Sequence, residues 1–304
     1  MDFGYDNKLN EERLERVVRD GETARMMGWW HRPAQRAVRD AGRIGSVVRR
    51  GLSATARCRW ELVDEAVNRL ETIELRPAAS LAMRAISAQA RGDEQEAGEL
   101  CDELQRAPVA TNADPHVWAS GVIAAALHGY LTGTVDDSAQ PVALVEQMCS
   151  RFDHLHPETT HFMCLSLALL ARAGESPVLA SFLLGHVAQT VGGLPAPDTV
   201  RGGAIAGSKA NAALRAVTGL CIITMGDSRS GARLLVDLMD GREASSMPLV
   251  TGLVGAEMAR LELMEGNRQA AARWVDRSRR FSDRYGSRLP LQVVTRAREQ
   301  IPTS

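Results

Sequence analysis

Aromatic side chains, lysine and long apolar runs are all scarce in this chain of 304 residues. Aromatic residues make up 4% of the sequence, and only two of the 36 basic residues, Lys8 and Lys209, are lysines. The most apolar stretch, residues 164–171, is too short to span a bilayer. Acidic residues come early, and no apolar core of a signal peptide follows them. We therefore expect a cytoplasmic protein with no membrane partner.

The sequence also lacks the motifs of several enzyme classes. It contains no GxSxG, HExxH or GxGxxG, and residues 202–210 read GGAIAGSKA, with Gly-Ser-Lys where a phosphate loop needs Gly-Lys-Ser or Gly-Lys-Thr. No two cysteines form a CxxC pair, which favours reduced thiols; they are Cys58, Cys101, Cys149, Cys164 and Cys221. We predict no catalytic residue, no cofactor and no enzymatic activity.

The composition favours a helical, globular chain. Hydrophobic residues make up 45% and charged residues 24%, which is enough to bury a substantial core. Alanine, leucine, arginine and glutamate dominate, and all four favour helices. The formal net charge is −1, so no field of the whole molecule attracts nucleic acid or membrane. The preference for arginine over lysine suggests a bacterial origin.

Five glycines recur at a near-constant interval, each between two stretches rich in small and apolar residues. Their spacings are 41, 41, 52 and 40, and they are Gly92, Gly133, Gly174, Gly226 and Gly266. Glycine ends a helix readily because it adopts the left-handed conformation without a Cβ penalty. An Asp, Asn or Glu that follows can cap the next helix. The small residues expected where the paired helices cross are Ala97, Ala180, Ala232 and Ala271.

A period of about 40 residues fits two helices, a tight turn and a linker. No such unit can bury its apolar face alone, so the units must stack. We predict an all-α fold, a right-handed α-solenoid of about five helix pairs over residues 51–304. The longer interval falls on residues 191–209, which we interpret as a loop between repeats.

The repeat resembles the tetratricopeptide (TPR) family, whose signature positions carry Leu81, Ala85, Ala88, Gly92, Ala97 and Leu104. Its period is closer to the roughly 40-residue repeats in the sensor region of LuxR-type bacterial regulators. The resemblance implies a TPR-like fold, with a regulatory role as an expectation. Stacked pairs would form a concave groove for a protein or peptide partner. The groove residues we expect are Arg84, His116, His128 and Arg172.

Residues 1–50 form a separate basic segment in this interpretation. Residues 25–59 contain nine arginines and a single acidic residue, Asp40. The segment caps the solenoid as an amphipathic hairpin, binds DNA through a helix-turn-helix over residues 9–42, or docks another acidic partner. The residues that would make those contacts are Arg25, Arg32, Gln35, Arg36, Arg39 and Arg43. In the DNA-binding alternative, the repeats serve as a sensor or dimerisation module of a transcriptional regulator, and a homodimer is possible.

A second arginine stripe lies near the other end of the chain, on one face of a predicted helix: Arg273, Arg277, Arg280 and Arg284. The residues expected to pack inward are Ala271, Trp274, Ser278, Phe281 and Tyr285. We interpret the stripe as a solvated surface, with an acidic partner or nucleic acid as the alternative.

Three histidines cluster at the predicted junction of two repeats: His154, His156 and His161. Zinc needs three or four converging ligands, and Asp153 or Glu158 could supply the fourth. The spacing matches no established zinc motif, however, and Pro157 suits the first turn of a helix. We predict a linker and no metal site.

Overall fold

The computed structural model describes residues 31–73, 78–106, 114–133, 155–191, 211–241 and 247–299. These ranges contain twelve α-helices and no β-strand, which confirms the all-α prediction. In chain order they are α1 His31–Ala56, α2 Trp60–Ile73, α3 Ala78–Arg91, α4 Glu94–Arg106, α5 Pro115–Thr132, α6 Pro157–Ala173, α7 Pro177–Val191, α8 Asn211–Thr224, α9 Ser228–Asp240, α10 Pro248–Met264, α11 Arg268–Tyr285 and α12 Leu289–Glu299. None of the twelve has the length and apolar character needed to cross a bilayer.

Most of the helices are arranged as hairpins of neighbouring elements. Helices α1 and α2, α3 and α4, α6 and α7, α8 and α9, and α10 and α11 each pack against one another across a turn of two or three residues. The inner helices α3, α5, α6, α8 and α10 then pack side by side in chain order. This packing of neighbours is compatible with the helical repeats predicted from the glycine spacing.

Each hairpin turn contains one residue in the left-handed conformation. The glycine prediction is confirmed at Gly92, Gly226 and Gly266, where φ is 86°, 101° and 77°. Gly174 ends α6 as predicted, but its φ is −90°, and the next residue, Glu175, takes the left-handed position at φ 48°. Gly133 ends α5 in the left-handed conformation, at φ 69°, as predicted. The fifth turn has Cys58 at φ 53° and contains no glycine, so the spacing did not predict it.

The residue that follows the left-handed position caps the next helix in four hairpins. Its side-chain oxygen accepts a hydrogen bond from the backbone N–H three residues later, which satisfies one free donor of the helix. These caps are Asp93, Ser176, Asp227 and Asn267. Capping by an Asp or Asn is confirmed in three turns, whereas Glu175 has moved into the turn itself and Ser176 replaces it.

The position five residues after the left-handed one lies at the crossing of the hairpin. It is buried in every pair and is occupied by Val63, Ala97, Ala180, Gly231 and Ala271. The prediction of Ala232 is wrong by one residue. A Cβ on Gly231 would lie 2.5 Å from the Gly219 carbonyl oxygen, so only glycine lets these two backbones approach.

The basic helix α1 covers part of the surface where the sequence predicted an open groove. Besides its partner α2, it contacts α3, α5, α6 and α10. The approach is close at Gly51, where a Cβ would lie 2.6 Å from the Met83 methyl carbon and 3.2 Å from the Ala66 Cβ, so the Met83 side chain would have to shift. Helix α1 continues through residue 50 without a break, so no helix end marks the division predicted there.

The two ends of the repeat stack meet at a contact that we call the seam, between residues 282–296 and residues 60–94. The Trp60 Nε1 donates a hydrogen bond of 2.6 Å to the Tyr285 carbonyl oxygen. The Ser287 hydroxyl donates one of 2.6 Å to the Ala90 carbonyl oxygen. In an open solenoid each repeat contacts only its neighbours. Here the last described helix, α12, packs against α3 and closes the stack on itself.

Candidate functional site

A cleft of about 490 Å³ lies beside the first hairpin, between α1, α2 and the start of α6. Five arginines line it, against the two carboxylates of Glu65 and Glu158. The arginines are Arg49, Arg50, Arg57, Arg59 and Arg69. We call this the basic cleft. It contains the C-terminal end of the arginine-rich segment that the sequence singled out.

Two of the arginines are paired with the two carboxylates. The Arg57 Nη2 donates a hydrogen bond of 3.0 Å to Glu158 Oε1, and the Arg69 Nη2 lies 2.6 Å from Glu65 Oε1. Among the described residues, the other three cleft arginines have no carboxylate within ion-pair distance; they are Arg49, Arg50 and Arg59. The cleft therefore holds an excess of about three positive charges, which favours an anionic ligand.

Glu158 remains an anion within this site. Burial raises the pKa of its carboxyl group, but the hydrogen bond from Ser53 and the charge of Arg57 lower that pKa more, so it lies below its usual value. Glu158 also lies in the first turn of α6, where a negative charge is favourable. The carboxylate ties α6 to the end of α1 and fixes one wall of the cleft.

The predicted histidine cluster divides in the structure. His154 lies outside the described residues. His156 caps α6, with its Nδ1 accepting the Glu158 N–H at 3.3 Å, and it lines the basic cleft. His161 lies one turn further along and is 5% exposed. Pro157 occupies the first turn of α6, as predicted. In the part of the chain that the structure describes, no three His, Cys, Asp or Glu side chains converge on a metal position.

Protonation of His161 should destabilise the fold. Burial, and secondarily the charge of His186, lowers its pKa to about 4, against about 6.5 in the unfolded chain. The unfolded state therefore binds more protons between these values, so stability is full above about pH 6.5 and is lost as pH falls towards 4. Between about pH 7 and pH 5, wild type should lose about 2 kcal/mol more unfolding free energy in urea than His161→Phe. An equal loss in both proteins would contradict this assignment.

The four predicted groove residues lie in different surroundings. Arg84 is half-exposed and pairs with Glu96 at 3.3 Å. The His116 Nδ1 lies 3.2 Å from the Thr159 hydroxyl, and burial lowers the pKa of His116. His128 is half-buried on α5. The side chain of Arg172 is only 9% exposed, so no partner reaches it in this structure.

Arg172 belongs to a buried charged cluster that sequence reasoning missed. Glu257 is 3% exposed; its Oε2 lies 3.2 Å from the Arg260 Nε and 3.8 Å from the Arg172 Nε. The Tyr130 hydroxyl donates a hydrogen bond of 2.6 Å to Glu257 Oε1, and burial raises the pKa of this tyrosine well above 10. The cluster joins α5, α6 and α10. In the sequence, the signal for this cluster is Glu257, the one charged residue in the mostly apolar stretch of residues 248–259.

The C-terminal arginine stripe lies on α11 as an outer surface. Its inward-packing residues are buried or half-buried, which confirms that part of the prediction. Three of the four arginines are exposed: Arg273, Arg280 and Arg284. Arg277 is half-buried; it donates a hydrogen bond of 2.8 Å to the Met239 carbonyl oxygen and lies over the Trp274 ring.

The predicted contacts of the N-terminal segment are described only in part. Arg25 and residues 9–30 lie outside the described residues, so the helix-turn-helix stays a prediction. Helix α1 contains the remaining contact positions, namely Arg32, Gln35, Arg36, Arg39 and Arg43. Of these, Arg43 is exposed.

Burial keeps the thiol groups of the described cysteines protonated at neutral pH. Burial raises the pKa of Cys58 and of Cys164 to about 12 and that of Cys101 to about 11, and it raises the pKa of Cys221 as well. A thiol must be deprotonated to act as a nucleophile or a metal ligand. All four are unpaired, and Cys164 is fully buried in the core.

Comparison with protein-family models, with curated proteins and with solved structures finds no match to this chain.

Proposed function

We propose that this chain is a non-enzymatic helical-repeat scaffold that binds an acidic segment of a partner protein in the basic cleft. The observation that carries the proposal is the set of arginines with no carboxylate partner in the described residues, Arg49, Arg50 and Arg59. Because α1 covers part of the predicted groove and Arg172 is buried, the cleft replaces the groove as the partner surface. Arginine clusters of this kind recognise acidic and phosphorylated peptide segments.

The finer features of the fold belong to the same proposal. We propose that the hairpins are TPR-like units stacked in a right-handed sense and that the protein has a regulatory role, as its resemblance to LuxR-type sensor regions suggests. The recurring turn, with a left-handed residue, a cap and a small residue at the crossing, supports units of one kind. Such scaffolds present a fixed surface to a segment that orders as it binds.

Reversing two charges in the basic cleft should abolish binding. The variant Arg50→Glu/Arg59→Glu changes two exposed side chains and should bind a fluorescein-labelled polyglutamate peptide at least about tenfold more weakly than wild type. Fluorescence anisotropy gives the dissociation constants, and the affinity of wild type should fall with added salt. The matched control, Arg273→Glu/Arg280→Glu, has the same change of net charge on the exposed face of α11. Equal weakening by both variants would show that net charge, and not the cleft, holds the peptide.

A DNA-binding transcriptional regulator is the second candidate. The observation that favours it is that Arg32, Gln35, Arg36 and Arg39 fall in one continuous helix, α1. In this case the repeats would sense a ligand or form a homodimer. Wild type should then bind duplex DNA with an affinity that falls steeply with salt, and changing Arg32, Arg36 and Arg39 to Ala should remove it. Unchanged DNA binding by that variant would eliminate this version.

A further inference from the structure

A row of arginine and serine positions runs along α1 and into the turn after it. Positions along this row alternate between spacings of four and three residues, which is the pattern of a stripe on a helix. The eight residues are Arg32, Arg36, Arg39, Arg43, Ser46, Arg50, Ser53 and Arg57. We call them the arginine row. It extends for about 38 Å at 1.5 Å per residue.

The described part of the row is the outward face of α1. Arg43 and Arg50 are exposed, and the two serines and Arg57 are half-buried. Val48, on the opposite face of the helix, is fully buried. The row leads into the basic cleft, whose lining includes Arg50, Ser53 and Arg57. The cleft is therefore one end of a longer basic surface.

We propose that the arginine row is a docking surface for an acidic α-helix of a partner protein. The inference rests on the proposed function and names the shape of the partner. Two helices that lie side by side meet every seven residues, or about 10.5 Å. Arg36, Arg43, Arg50 and Arg57 repeat at that interval. A partner helix with glutamates at alternating spacings of three and four residues places carboxylates along the row, where Arg57 already pairs with Glu158. The small serines between the arginines allow its close approach.

The shape of the row favours an acidic helix over nucleic acid. A helix that reads DNA inserts only a few side chains from its N-terminal part into the major groove, whereas the row extends over about 38 Å.

The test compares two synthetic peptides of equal composition. Both are alanine-rich with about seven glutamates, placed at alternating spacings of three and four residues in the matched peptide and scrambled in the other. Anisotropy titrations with the full chain should show the matched peptide binding at least about tenfold more tightly. The variant Arg43→Glu/Arg50→Glu should remove the difference, and Arg273→Glu/Arg280→Glu should retain it. Circular dichroism checks that both variants keep their helices.

The outcomes separate the two proposals. Equal affinity for both peptides, lost in the variant Arg50→Glu/Arg59→Glu, would overturn the docked helix and leave the acidic partner in the cleft standing. No binding of either peptide would overturn both proposals. Tighter binding of duplex DNA of similar length than of the matched peptide would overturn the docked helix and favour the nucleic-acid function.

Discussion

Replacing Glu257 with alanine should lower the free energy of unfolding by about 3–5 kcal/mol, because it leaves buried cations without a counter-charge. The side chain of Arg172 is 9% exposed and that of Arg260 is 16% exposed. Burial lowers the pKa of Arg172, but a guanidinium does not lose its proton in a protein. The charge therefore stays in a site that can no longer pair it. Urea unfolding followed by circular dichroism measures the loss.

The matched control removes only the hydroxyl that contacts the same carboxylate. Tyr130→Phe deletes the hydrogen bond of 2.6 Å to Glu257 but leaves the ion pairs with Arg172 and Arg260 in place. A loss of about 1.5–3 kcal/mol is typical of a hydrogen bond to a charged group. A loss for Glu257→Ala no larger than that for Tyr130→Phe would show that the charges are solvated and that the buried cluster does not join α5, α6 and α10.

Replacing Gly92 with alanine should cost about 2–4 kcal/mol, the sum of a backbone penalty and a steric one. Gly92 has φ 86°, where an L-residue costs about 1–2 kcal/mol. An added Cβ would also lie 2.5 Å from the Arg288 Cβ, across the seam. The Gln292 side-chain amide donates to the Gly92 carbonyl at 2.9 Å, so the turn cannot shift without breaking this contact. Thermal and urea unfolding give the change.

Gly266→Ala isolates the steric contribution of the seam. Gly266 has φ 77° and ends the inner helix of another hairpin, but a Cβ there would meet nothing within 4 Å. It should therefore lose only the backbone penalty of about 1–2 kcal/mol. If the two variants lose equal stability, the seam is not closed in solution, and the ends of the repeat stack move apart.

The local features of the fold could be predicted because they depend on backbone conformation. Glycine tolerates positive φ, so Gly92, Gly226 and Gly266 identify their turns from the sequence alone. Glycine spacing did not indicate the turn at Cys58, and at Gly174 it located the turn but not its left-handed residue, since other residues can adopt this conformation when the surrounding contacts outweigh the strain. An alignment on the left-handed residue would have placed Gly231, not Ala232, at its crossing.

The long-range contacts could not be predicted from repeat spacing. A period of about 40 residues predicts which helices are neighbours in the stack. It does not predict which helices distant in the sequence contact one another. The seam joins Trp60 to Tyr285, and the buried cluster joins Tyr130 to Glu257. The same holds for the packing of α1 against the inner helices. Because α1 covers part of the predicted groove, the candidate site is the basic cleft. The cleft arginines themselves were visible in the sequence as an excess of positive charge.

Photo-crosslinking of a bound acidic peptide tests most directly whether the partner lies on the outer face of α1 or in the groove. The matched glutamate peptide would carry a photoreactive residue at its centre, and mass spectrometry would locate the adducts on the full chain. We expect adducts within α1 and α2, around Arg43, Arg50 and Leu62. Adducts on α3, α5 or α6 near Arg84, His128 or Arg172 would show that the groove opens to a partner and would contradict the account.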